Sequence, residues 1–354
     1  MTKWTTADLF NTQVIHNKRL PWIDYAKAIA IILVVYRHVL IGFTRADIEI
    51  NQFLLLANEV VYTFRMPLFF ILTGIFIRRS ISKRGNRSFV RNKAITLLYP
   101  YFIWGGLQIS LQIFLSDHIN ADRSWIDYSY LLIRPRAIDQ FWFLYAMFNT
   151  SVVFLLAFRI WKEHVGGLLL TGIALHYLST WLIGVNVVYD IAYYFLFIAI
   201  GDCLASFIFQ EQRQQVFASF GLTLLLLPLF VLSQWVWLSY EVNTFAFALI
   251  ALVGCALMLN LSFLLARYRV FPYLRVFGYH SLYIYIMHVI ISAAVRVFLI
   301  KVVGITHFGV LFSLCLVLAI VLPIAIYNAL LKIGWWFLFT PQKPQSQPQR
   351  LTPS

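Results

Sequence analysis

Charge is scarce in this chain of 354 residues, and negative charge is scarcest: Asp, Glu, Lys and Arg make up 12%, with 14 acids against 28 bases. A water-soluble domain keeps about a quarter of its residues charged. The shortage excludes a soluble globular body, because one interior cannot hide side chains that are 61% hydrophobic. Cysteine is rare too. Cys203, Cys255 and Cys315 lie far apart, each in an apolar segment, which excludes a disulfide framework or a CxxC metal pair and leaves packing as their role. Also missing are a Walker-type glycine loop, a Rossmann fingerprint, a GxSxG elbow, an HExxH helix and a DxD-type pair. The chemistry expected is therefore proton transfer with no metal and no permanently bound cofactor.

What is there fits a lipid solvent. Mean hydropathy is +0.78, and aromatic residues, which favour membrane interfaces, reach 18%. The net charge of +14 sits in short loops between apolar segments, so it implies contact with membrane lipids and not with nucleic acid. A bilayer crossing takes roughly 20 apolar residues. That window predicts an all-α polytopic membrane protein with ten spans near 22–43, 53–77, 94–115, 140–160, 166–184, 189–209, 217–238, 245–266, 281–300 and 307–338. Residues 1–21 read as a cytoplasmic segment without a signal peptide, 22–340 as the membrane domain, and 341–354 as a disordered cytoplasmic tail. With the N-terminus inside, 19 of the 28 basic residues fall in inner segments and 5 in outer ones. Both termini are therefore expected in the cytoplasm.

Ionisable residues inside spans cost at least ~2.5 kcal/mol each near a helix centre and mark functional sites by default. The first span carries Asp24, Lys27, Arg37 and His38. At 100° per residue, Asp24, Lys27, Ile31, Val34 and His38 share one stripe, with Lys27 and His38 about 16 Å apart along the axis. A lone histidine would be read as a bundle hydrogen bond. A histidine with two charges on its own stripe favours chemistry, and histidine suits proton abstraction near neutral pH. Arg37, about 100° from His38, reads as structural or interfacial.

The second span places Arg65 before Met66 and Pro67, and the run after it, RRSISKRGNRSFVRNK, holds seven bases and no acid. That run is a topology signal and also a candidate site for phosphates. Late in the chain, Ser281, Tyr285 and His288 fall on one helix face as a polar cavity lining.

Together these segments resemble the bacterial membrane acyltransferase-3 family. WIDYAKAIAIILVVYRHV is similar to its first helix, with a basic residue eleven positions before a histidine, here Lys27 and His38. RMPLFFILTGIFI resembles the second-helix signature, FVRNKAITLLYPYFIW the basic segment before a Pro-Tyr helix, FWFLYAM (with Trp142 and Phe143) a further element, and GYHSLYIYIMH the late Gly-x-x-Ser motif through Gly278, Ser281, Tyr285 and His288. Three positions depart from the pattern: Lys93 and Thr96 stand where the family often has paired arginines, and Arg65 where many members have histidine.

The resemblance implies an O-acyltransferase of the bacterial inner membrane. Its donor would be acyl-CoA, most simply acetyl-CoA, and its acceptor a hydroxyl of a glycan or lipid-linked saccharide, with polysaccharide-assembly proteins as possible partners. His38 would be general base, with Lys27 and Asp24 assisting. Arg87, Arg91 and Lys93 would hold the CoA phosphates. Arg65, Trp142, Ser281, Tyr285 and His288 would contact substrate. A transporter of a sugar-like or anionic solute is the alternative, opposed by the lack of an inverted repeat. A non-catalytic assembly partner is a third reading.

Overall fold

The computed structural model describes residues 9–16, 20–114 and 123–343. Residues 344–354 of the expected tail, and residues 1–8 and 17–19 of the N-terminal segment, lie outside the described residues. Within them the chain is a helical bundle without strands. Its helices are α1 (Pro21–Thr44), α2 (Gln52–Arg84), α3 (Asn86–Phe114, with a π turn at Ala94–Leu98), α4 (Trp142–Ile160), α5 (Val165–Leu178), α6 (Asn186–Ile208), α7 (Phe220–Ser239), α8 (Thr244–Tyr268), the short α9 (Leu274–Tyr279), α10 (Ser281–Lys301) and α11 (Phe308–Lys332). Among the described residues, nine helical segments are long and apolar enough to cross a membrane. The expected fifth span is a shorter apolar helix ending near Trp181, since its apolar stretch is closed by Ser179 and Thr180.

Helix ends follow local chemistry. Pro21 opens α1, where a missing N–H costs nothing. The side chains of Asn51, Ser219 and Asn243 accept backbone N–H groups at the starts of α2, α7 and α8. Gly85 ends α2 at φ +74, a left-handed conformation that favours glycine, and the chain turns there into α3. At 33 residues α2 runs ~50 Å, past a ~30 Å hydrocarbon core, so its basic last turns stand at the membrane surface.

α1 sits at the centre, packed by α2, α8, α9, α10 and α11, and half of it is buried. Two crossings need glycine. A Cβ on Gly74 of α2 would meet the Ile198 carbonyl of α6 at 2.2 Å, and Gly201 opposes it in the same way. A Cβ on Gly278 of α9 would meet the Asp24 carbonyl at 1.8 Å. Small residues let helices approach closely where lipid offers no hydrophobic drive. Ion pairs fix the ends: Arg78 binds Asp202 through two donors at 3.0 and 2.7 Å on the side of the basic loops. Arg45 binds Asp139 at 2.7 Å on the opposite side.

Candidate functional site

The packing leaves two cavities that enter the bundle from opposite ends. The inner one, about 370 Å³, opens among the basic loops; Lys27, Arg84 and Lys93 stand over walls of Phe69, Leu72, Phe76, Phe89 and Met147. The outer one, about 550 Å³, is lined by His38 with Arg37, Tyr62, Arg65, Trp142 and Trp237, among others. Tyr285 lines both, and Phe143, which lines the inner cavity, packs against its ring at 5.4 Å.

The partition is held from behind. The Tyr285 hydroxyl donates to the Gln140 carbonyl. The Gln140 side chain donates to Gln108 at 3.0 Å, and Gln108 donates to Asp139 at 3.0 Å. Asp139 is the carboxylate that binds Arg45. Tyr285 is thus tied through a buried polar chain to the outer loop.

His38 has a defined proton arrangement. Its Nδ1 lies 2.9 Å from the Val34 carbonyl one turn earlier; a carbonyl only accepts, so Nδ1 carries the hydrogen and Nε2 keeps its lone pair. His288 faces it, ring centroids 4.9 Å apart at 76°. The Nδ1 of His288 likewise donates to the carbonyls of Ile284 and Tyr285, at 3.1 and 2.8 Å, and its Nε2 is buried without a partner. A neutral imidazole with a free Nε2 at a cavity wall is the arrangement a general base requires.

At the outer rim Arg136 binds Asp190 at 2.5 Å and lies 4.3 Å over the Trp142 ring. Burial draws its pKa down, but Tyr194 and Asp190 more than offset this and hold it above its ordinary value, so it stays charged. Among the described residues no group of three or more His, Cys, Asp or Glu side chains is placed to hold a metal.

The predicted residues divide between the two chambers. His38, Arg65 and Trp142 line the outer cavity, Lys27, Lys93 and Ser281 the inner one, and Tyr285 both. His288 is buried behind His38. The α1 stripe is therefore one face serving two sites, with Ile31 and Val34 buried between its ends, and Lys27 stands too far along the axis to assist at His38. Asp24 is buried and pairs with Arg275 at 3.4 Å, beneath α9. That contact is structural. Arg87 and Arg91 are exposed and outside the inner cavity, whose rim Arg84 supplies instead. Arg37, expected to be structural, lines the outer cavity.

Residues missed in the sequence include Tyr62, Arg45, Arg136, Asp139 and Trp237. One signal was available: Arg45 and Arg136 are two of only five basic residues on the base-poor side.

A family model described as an acyltransferase domain, the acyltransferase-3 family, matches residues 20–328. The match begins just before α1 and ends within α11, so it takes in both cavities. No curated protein and no solved structure matches the chain.

Proposed function

Because this chain belongs to the acyltransferase-3 family, a membrane acyltransferase, we propose that it carries an acyl group, acetyl in our reading, from acyl-CoA in the inner cavity to a saccharide hydroxyl in the outer one. The observation that carries this is Tyr285: one side chain walls two cavities that open at opposite ends of the bundle, with the candidate base on one side of it. The basic loops are read as cytoplasmic, where acyl-CoA is made, and the membrane as a bacterial inner membrane. Lys27, Arg84 and Lys93 would hold the CoA phosphates. The apolar walls behind them suit an uncharged pantetheine arm that brings the thioester to Tyr285.

In this mechanism the His38 Nε2 takes the proton of the acceptor hydroxyl as its oxygen attacks the thioester carbonyl. The tetrahedral oxyanion forms within the positive field of the arginines that line the outer cavity, which offsets its charge. Collapse breaks the carbon–sulfur bond, and the imidazolium returns its proton to the thiolate, giving an ester and free CoA. The Tyr285 ring must move aside for the thioester to reach His38, and at rest it keeps outer-cavity water from the thioester.

The test is purified protein in detergent with acetyl-CoA and a saccharide acceptor. Formation of an ester and free CoA in equal amounts is expected; binding of both substrates without any new ester would overturn the proposal.

A further inference from the structure

The outer cavity contains more guanidinium than its own carboxylates engage. Four arginines line it: Arg37, Arg45, Arg65 and Arg136. Arg45 and Arg136 are committed to Asp139 and Asp190 at 2.7 and 2.5 Å. Arg37 and Arg65 have no carboxylate within ion-pair distance among the described residues. Arg65 is only 3% exposed, and it donates to Asn58 Oδ1 at 3.2 Å. Asn58 in turn donates to Glu59 at 3.1 Å.

Both guanidinium groups instead lie against one ring. The Arg37 and Arg65 carbons stand 5.2 and 5.3 Å from the Tyr62 centroid. A cation–π contact offsets part of the charge but accepts none of the five N–H donors each guanidinium presents. Trp237 stacks on Tyr62 at 14°, centroids 6.2 Å apart, and its Nε1–H is buried without a partner. Charge this deep in a membrane protein is costly unless something answers it. The region therefore offers unused donors and positive charge beside two flat rings, in the same cavity as His38.

We propose that the acceptor is an acidic saccharide, its phosphate or carboxylate held by Arg37 and Arg65 and its ring against Tyr62 and Trp237. Planar guanidinium groups match both kinds of oxyanion, and the C–H face of a sugar ring packs on an aromatic face. This rests on reading the outer cavity as the acceptor site.

The experiment is equilibrium binding of radiolabelled glucose 1-phosphate, glucuronate and glucose to the protein in nanodiscs of zwitterionic lipid, with no acyl donor present. At least one acidic sugar is expected to bind about 10-fold or more tightly than glucose. Preference for the phosphate would identify a phospho-sugar, and preference for the carboxylate a uronic acid. The double variant Arg37→Gln, Arg65→Gln should lose that preference while retaining acyl-CoA binding in the other cavity, which reports its folding. The double Lys variant, which keeps the charge, should retain part of it. Equal binding of all three sugars, no saturable binding of either acidic one, or a preference surviving in the Gln variant would overturn the proposal. The acyl-transfer reading fails on a different result, the absence of any ester made from acyl-CoA.

Discussion

The two cavities share α1, α2, α4 and α10 and differ in nearly every side chain that matters. The inner one is an apolar slot with Lys27, Arg84 and Lys93 over its walls; the outer one is aromatic and rich in arginine, with His38 in its wall. Lysine is a flexible point charge suited to a mobile phosphate at an aqueous mouth, whereas arginine holds a planar oxyanion in a fixed fork. In the proposed mechanism the contrast assigns one substrate of different chemistry to each side, with the reacting atoms meeting at the shared wall of Tyr285.

Substitutions can break this contrast at chosen points. The largest effect is expected at the base: His38→Ala should lower acyl transfer by about 100- to 10,000-fold without changing acyl-CoA binding, checked by turnover and by equilibrium binding on one preparation. Opening the wall comes next. Tyr285→Ala should raise release of free CoA without acceptor by roughly tenfold, an estimate for lost water exclusion, while ester formation falls; the ratio of CoA to ester reads the uncoupling. Lys27→Ala with Lys93→Ala should then raise KM for acyl-CoA by about 10-fold, the weight of one or two charge-assisted contacts, with KM for acceptor unchanged. The smallest effect sharpens the inner boundary: Arg87→Ala with Arg91→Ala should change the same KM by less than about twofold, as expected of exposed charges, although their place in the basic run made them the first candidates for phosphate binding.

Much of this was legible in the sequence, for identifiable reasons. Spans announce themselves because lipid demands apolar side chains over a fixed length, and the expected fifth span is shorter than the others because the polar residues at 179 and 180 close its helix early. The α1 stripe was legible because its period is that of a helix. What the stripe could not reveal is that Lys27 and His38 open into different cavities, since that depends on α2, α10 and the loop before α4. Asp24 shows the same limit: its ion pair with Arg275, 251 positions away, is invisible in the pattern of α1. Arg136 and Asp139 come from irregular 3₁₀ turns, where no periodicity says which way a side chain faces. Gly278 was legible as part of a motif, but its reason, the backbone of α1 pressed against it, is visible only in the packing.

The central claim, that donor and acceptor enter from opposite ends and meet across Tyr285, is tested most directly by sidedness. The measurement uses sealed proteoliposomes of uniform orientation, with labelled acetyl-CoA supplied on one side and a saccharide acceptor on the other. The account predicts labelled ester on the acceptor side when acetyl-CoA faces the basic loops, and none when the two are exchanged. Ester formed only when both substrates share one side would contradict it.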